Sequence, residues 1–407
     1  MLGLLVAVGA FAIDMYIPGF GQIARDLHTN AGTVQLSMTS YFLALSLGQI
    51  FFGPISDAVG RKPPIYGGLA IFIAASAAAG FASSIELLIL ARFFQGLGAA
   101  ATAVVPLAII RDEYIGPQAA QLLSLAMLAL SVSPIFAPVF GGFLVEFGSW
   151  RLIFGALIVV SAAATAMTAW MLPETLPPAA RIRLHPLRVV LTYGRLITTR
   201  DFILPIMLGG CAQVVLFVFI SAAPFVFVTL HGLSPTVFGM LFACHAIALI
   251  GISQLNAMLI RRFGTLRLLG GACALLTVAS AALMAVVFCG VTALWPLISL
   301  TMIMFSALGP IGGPAFLLAM EPFGAIAGSA AAIGAGLEFA CSSVITALLG
   351  ASANGSARPM AAFMFLGSIG ALSFWLAIAG RTMPKPLRFF PRRSQRSAAD
   401  GDASLVE

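Results

Sequence analysis

Three ionisable residues stand where charge is expensive. Asp14, Arg92 and Glu338 each lie inside a long run of uncharged residues. A charge at the centre of a membrane helix costs roughly 2.5–3.5 kcal/mol on insertion scales, so such groups face a cavity or a partner and serve ion or proton pathways. Asp14 falls about 20 Å into its run at a helical rise of about 1.5 Å per residue. Pro18 follows four residues later, and its ring removes the hydrogen bond to carbonyl 14, so a kink is expected at the acid. Asp14 reads as a proton carrier or as a fixed ion-pair partner. Glu338 reads as a group for a proton or a cationic substrate, or as a hydrogen-bonded packing residue. Arg92 is close enough to the end of its run to snorkel outward as an interfacial anchor. His245 is alone on an apolar run, which favours a hydrogen-bonded structural histidine over a proton carrier. Tyr16, Tyr41, Gln49, Gln95, Gln213, Phe217 and Phe339 are candidates to line a cavity.

The elements that must position these groups follow from composition. The chain has 407 residues, 60% hydrophobic and 9% charged. A soluble domain carries about 25% charged residues, so a water-soluble enzyme is excluded, as is a disordered chain. A membrane helix needs roughly 20 apolar residues. The uncharged runs predict twelve, over 2–24, 35–55, 64–83, 87–109, 119–145, 152–172, 203–229, 236–260, 266–289, 294–317, 325–350 and 359–380. The runs are continuously apolar rather than alternating, so they predict an all-α membrane protein and not a barrel.

The net charge of +7 is topology rather than nucleic-acid binding. With the first end inside, 17 of the 21 Lys and Arg residues fall on the cytoplasmic side, as the positive-inside rule requires. The first run lacks a basic leader and contains Asp14, so it reads as a retained helix. Cys211, Cys244, Cys273, Cys289 and Cys341 all lie in predicted spans, where packing is the usual role, and neither metal nor disulfide is expected.

Residues 173–201 carry five arginines and four prolines and interrupt the hydrophobic pattern. They divide the chain into a six-helix bundle over 1–172, a cytoplasmic linker over 173–201, a second bundle over 202–380 and a disordered tail over 381–407. Residues 187–197 read either as an amphipathic interfacial helix or as solvated linker. The halves show a weak repeat: Gly60 and Gly264 are 264 − 60 = 204 apart, and Pro106 and Pro310 are 310 − 106 = 204 apart. Two similar halves are what parallel-repeat transporters show.

The loop between the second and third runs reads Gly53-Pro54-Ile55-Ser56-Asp57-Ala58-Val59-Gly60-Arg61-Lys62. It resembles the signature of the major facilitator superfamily, with Ala58 where that family usually has a basic residue. Arg92-Phe93-Phe94-Gln95-Gly96 is similar to the family's arginine and glutamine-glycine motif. Ala137-Pro138-Val139-Phe140-Gly141-Gly142 resembles its antiporter motif, with Ala137 in place of a glycine. Ala12-Ile13-Asp14-Met15-Tyr16-Ile17-Pro18, Ile109-Ile110-Arg111-Asp112 and Trp150-Arg151 resemble the Bcr/CflA drug-efflux subfamily. The resemblance covers the first half well and the second mainly by architecture. It implies a role for Arg92 in proton transfer. It implies that Gly53, Asp57, Gly60, Arg61, Lys62, Arg111, Pro138, Gly141 and Gly142 serve conformational change.

The expected activity is proton-coupled antiport of drugs or antibiotics across the bacterial inner membrane, with both termini cytoplasmic. Two bundles would rock about a midplane cavity. No phosphate-loop motif is present, so a proton gradient is the expected energy source and no cofactor is expected. The expected partners are lipophilic small molecules, protons and membrane lipid, without nucleic acid, and the expected state is monomeric. The alternatives are a proton-coupled transporter of a sugar, amino acid or peptide, and a membrane sensor or intramembrane enzyme. No catalytic constellation supports the last.

Overall fold

The computed structural model describes all residues except 115, 116, 179, 180, 182–185, 292 and 383–407. The expected tail lies almost wholly outside the described residues. Among the described residues, twelve helices are long and apolar enough to cross a membrane: Leu2–Asp26, Ala31–Val59, Lys62–Gly80, Ile85–Ile110, Leu125–Glu146, Arg151–Met171, Arg200–Leu230, Pro235–Gln254, Thr265–Phe288, Leu294–Phe323, Gly328–Ala351 and Arg358–Arg381. They are called spans one to twelve. The end carrying Arg61 is called inner and the end carrying Arg151 outer.

Proline sets the irregular points. Span one runs as an α-helix over Leu2–Asp14, then passes through a short turn at Ile17–Gly19 and resumes at Phe20. The break falls directly after the acid, where Pro18 cannot donate to carbonyl 14. Span ten breaks at Pro310, between Leu294–Leu308 and Gly312–Met320. Its repeat counterpart Pro106 sits inside a continuous helix, Ile85–Glu113. The hydrophobic run predicts an eighth span to 260, but the helix stops at Gln254. A separate helix, Asn256–Phe263, carries Arg261 and Arg262. Asn256 is pinned there by its side-chain N–H on the Gly309 carbonyl at 3.1 Å.

The repeat is visible in the backbone. Gly60 and Gly264 both take positive φ, 103° and 80°, and each donates its N–H to the carbonyl four residues earlier. That conformation is strained for any residue with a Cβ, so glycine ends the inner turn in both halves.

The halves interlock from the outer end to mid-depth. Spans two and eleven meet through Gly32 and Gly350: a Cβ on Gly350 would lie 3.0 Å from the Gly32 carbonyl oxygen. Along the same pair, Thr39 Oγ1 bonds Thr346 Oγ1 at 3.1 Å, and Ser46 Oγ donates to the Gly336 carbonyl at 2.7 Å. Spans five and eight cross just as closely at Gly142 and Gly239. Small residues allow this approach, and dispersion between backbones then holds helices whose surroundings are as apolar as their side chains. The linker forms a helix over Pro186–Thr198, the amphipathic alternative of the two expected. Its Tyr193 and Leu196 pack with Phe202, Ile206, Ala330 and Ile333 of the second half.

Candidate functional site

Arg92 does not snorkel. It is fully buried, with its guanidinium between two tyrosine rings, 4.4 Å from the Tyr16 centroid and 4.3 Å from that of Tyr41. A desolvated cation–π contact contributes about 2 kcal/mol. Nη1 donates to the Ala12 carbonyl at 3.1 Å and to Gln95 Oε1, and Nη2 reaches Met38 Sδ at 3.2 Å. Its Nε is buried without a partner, and among the described residues it forms no ion pair. The rings are anchored in turn. The Tyr41 hydroxyl donates to the Gly9 carbonyl at 2.9 Å, and the Tyr16 hydroxyl bonds Ser37 Oγ at 2.7 Å. Gln95 Nε2 donates to Ser76 Oγ at 2.7 Å. Spans one to four therefore hold one buried cation by neutral groups.

Tyr16, Tyr41 and Gln95, expected to line a cavity, are fully buried around Arg92 instead. A buried guanidinium must find acceptors and ring faces in place of water, and Gln95 supplies an acceptor while Tyr16 and Tyr41 supply the ring faces.

Asp14 lies on the same helix as Ala12, whose carbonyl Arg92 grips. It is 5% exposed and accepts from Ser133 Oγ of span five at 3.2 Å. No Lys, Arg or His nitrogen comes within ion-pair distance of it among the described residues, so the fixed ion-pair alternative fails. A Cβ on Gly141 would strike the Met15 carbonyl oxygen, so that glycine lets span five close over the turn that follows Asp14.

Phe217 and Phe339 of the second half meet Phe42 of the first between the halves. Ring centroids are 4.2 Å apart for Phe42 and Phe217, 5.5 Å for Phe217 and Phe339 and 6.4 Å for Phe42 and Phe339. Gln213, one turn from Phe217, has a buried Nε2 without a partner. Glu338 precedes Phe339 and faces span seven: a Cβ on Gly209 would lie 2.6 Å from Glu338 Oε1. It is half-buried, and no described residue donates a hydrogen bond to its carboxylate. The packing alternative with hydrogen bonds is therefore not what is found. His245 follows expectation, with Nδ1 donating to the Leu241 carbonyl at 2.8 Å and Nε2 2.8 Å from Thr301 Oγ1.

The inner loop forms a charge cluster. Arg61 forks onto Asp112, Nε to Oδ2 at 2.6 Å and Nη2 to Oδ1 at 3.2 Å, and Nη1 reaches Asp57 at 2.6 Å and Ser56 at 2.8 Å. Bidentate charged pairs are the stronger class of hydrogen bond. Burial alone pushes the Arg61 pKa down, but bonds to Asp112 and Asp57 outweigh it and hold it above the ordinary value. Glu174 of the linker accepts the backbone N–H groups of Arg61 at 2.8 Å and Lys62 at 3.2 Å. Its slight burial raises its pKa, but these donors, with Leu176 and Arg181, bring it below the ordinary value. Gly53 supplies the carbonyl that Ser56 Oγ bonds at 2.8 Å, and the Arg111 side chain lies outside the described residues. At the outer end Asp26 accepts from Trp150 Nε1 at 2.9 Å and pairs with Arg151 at 3.5 Å.

Sequence reasoning missed Ser133, Ser37, Ser76, Met38, Phe42 and Glu174. Phe42 had one usable signal, its place beside Tyr41. The small polar residues had none, since serine is common in apolar helices.

A family model described as Major Facilitator Superfamily matches residues 2–339. The chain is 34% identical over 382 residues to an uncharacterized MFS-type transporter, YdgK, of Bacillus subtilis, covering 92% of this chain and 94% of that one. It is 34% identical to multidrug resistance protein D of Escherichia coli, covering 94% and 95%. A bicyclomycin resistance protein homolog of Haemophilus influenzae is 28% identical, covering 88% and 90%. Among solved structures, a D-xylose-proton symporter superposes with TM-score 0.74 at 14% identity, covering 92% of this chain and 96% of that one.

Proposed function

The chain belongs to the major facilitator superfamily, and we propose that it is a proton-coupled drug exporter of the Bcr/CflA type in the bacterial inner membrane, with both termini cytoplasmic. The full-length likeness to multidrug resistance protein D supports the substrate class, small lipophilic drugs. The observation that carries the coupling is the Asp14 site, a buried carboxyl beside a buried cation that it does not touch. Arg92 grips the peptide two residues before Asp14 through the Ala12 carbonyl. Loss of the Asp14 proton then creates an anion near a fixed positive charge, and return of the proton leaves Arg92 still held by its rings. Ser133 of span five senses which form is present, because its hydroxyl donates better to a carboxylate than to a neutral acid.

Drug entering from the inner side meets the Phe42, Phe217 and Phe339 layer between the halves, where stacking and dispersion suit many shapes. Glu338 adds charge for cationic drugs. A proton from outside then favours the other arrangement, and each ligand need only bind one arrangement better than the other. Both halves lie in one chain, so the working unit is a monomer, and the coupling needs no bound cofactor.

The test uses everted vesicles with an imposed pH gradient. Adding an amphenicol, a bicyclic antibiotic or a cationic dye should release protons in vesicles containing the protein and not in controls. No release with any of the three classes would overturn the drug reading.

A further inference from the structure

The two halves frame a cavity of about 520 Å³ at the outer end, beside the close crossing of Gly32 and Gly350. Drug-sized ligands occupy cavities of roughly 300–1,000 Å³. One wall is the start of span two. The others are the outer ends of spans seven, eleven and twelve, with the turn over 352–357. Gln35 of the first wall lies 42 − 35 = 7 residues outward of Phe42, about 10 Å along the helix. The cavity is therefore separate from the aromatic layer between the halves.

Its polar groups are short of partners. Gln35 lines the cavity at 3% exposure, and its Oε1 is buried with no hydrogen bond. Among the described residues its side-chain N–H donates to no acceptor either. A half-turn of this amide breaks no bond, so either end can face the cavity. Asn30 Oδ1 accepts from the Thr33 N–H at 2.9 Å and the Thr33 hydroxyl at 3.1 Å. Asn354 Oδ1 accepts from the Ser356 N–H at 3.2 Å and the Ser356 hydroxyl at 2.7 Å. Both asparagines keep their oxygens inside the protein and leave their side-chain N–H groups for another acceptor. Asn30 belongs to the first half and Asn354 to the second.

The rest of the lining sets the class of occupant. Leu36, Phe225 and Met360 supply apolar wall, and among the described residues no ionisable side chain lines the cavity. A charged molecule would leave water there without an opposite charge to receive it. A buried amide without partners is completed by a molecule that brings a donor and an acceptor of its own.

We propose that this cavity is a second ligand site, which takes from the outer side an uncharged molecule carrying hydroxyl or amide groups on an apolar body. Gln35 bonds its polar group, Asn30 and Asn354 donate to its acceptors, and Phe225 and Met360 cover its apolar part. A molecule held there touches both halves, so it favours the arrangement in which their outer ends are together. Binding at this site needs no transport, so the proposal stands apart from the exporter reading.

The test follows the rate at which a membrane-impermeant maleimide labels Ala353→Cys, an exposed position on the cavity wall, in the full chain in lipid nanodiscs. Cys244→Ser and Cys289→Ser remove the exposed native thiols. The probe is chloramphenicol, an uncharged molecule with hydroxyl and amide groups on an aromatic body. It should slow labelling of Ala353→Cys and leave labelling of Phe81→Cys, at the outer end of span three and away from the cavity, unchanged. The cation ethidium should protect neither. Gln35→Leu should raise the chloramphenicol concentration for half protection about tenfold. Asn354→Ala, a change at an exposed turn that leaves the helices intact, should raise it in the same direction. No protection by chloramphenicol, equal protection by ethidium, or an unchanged half-protection concentration in both variants would overturn the site.

Discussion

Tyr41 and His245 occupy equivalent places in the repeat, 245 − 41 = 204 residues apart, and each buries a ring tied by hydrogen bonds. Their surroundings differ in kind. Tyr41 stacks on a guanidinium, and the groups around it are polar: Tyr16, Gln95, Ser37 and Ser76. His245 sits among phenyl rings, 4.9 Å from Phe219 and 5.0 Å from Phe305, with Phe242 tilted against Phe219 at 6.0 Å. One scaffold therefore holds a charge in the first half and a neutral aromatic core in the second. Under the exporter reading proposed above, the difference suggests a division of labour: the proposed proton site lies in the first half, and the second brings an aromatic layer with Glu338 beside it.

The largest expected effect breaks the first half. Asp14→Asn should abolish drug-evoked proton release while leaving the protein in the membrane, since the amide still accepts from Ser133. Arg92→Lys comes next. An ammonium cannot fork between Ala12 and Gln95 while lying flat between two rings, so transport should fall about tenfold, corresponding to roughly 1.4 kcal/mol. Drug-evoked proton release in vesicles would read it.

The matching change in the second half sharpens the comparison. His245→Phe removes two hydrogen bonds from a neutral core and should lower the midpoint of thermal unfolding by a few degrees, at roughly 1 kcal/mol per bond. Proton coupling should be unchanged. Glu338→Gln should reduce transport of cationic dyes and spare neutral drugs; equal loss of both would remove the role in cation selection assigned to Glu338.

The smallest effect lies at the inner cluster. Glu174 has a lowered pKa, so its contribution is present above the ordinary glutamate value and is lost as pH falls through the folded value. Because Glu174 is largely exposed, acid below the ordinary value should free the linker only slightly. Faster proteolysis of residues 173–178 under acid, absent in Glu174→Gln, would report it.

Much of the fold is legible in the chain because hydrocarbon tolerates few charges: each uncharged run becomes a span, and the exceptions stand out. Pro18 announces the break at Asp14, and Gly60 and Gly264 announce their turns by spacing alone. The surroundings of Arg92 are not legible. Its rings come from spans one and two, its amide from one turn along its own helix, and only packing brings them together. The end of the eighth span is hidden for a related reason, because Leu255, Ala257 and Met258 continue the apolar run through a break fixed by Asn256 on Gly309.

The most direct test compares Asp14→Asn with Glu338→Gln in the same everted vesicles, using a neutral drug and an imposed pH gradient. Drug-evoked proton release should vanish in Asp14→Asn and persist in Glu338→Gln. Release that survives in Asp14→Asn, or disappears in Glu338→Gln alone, would contradict the assignment of the proton to the first half.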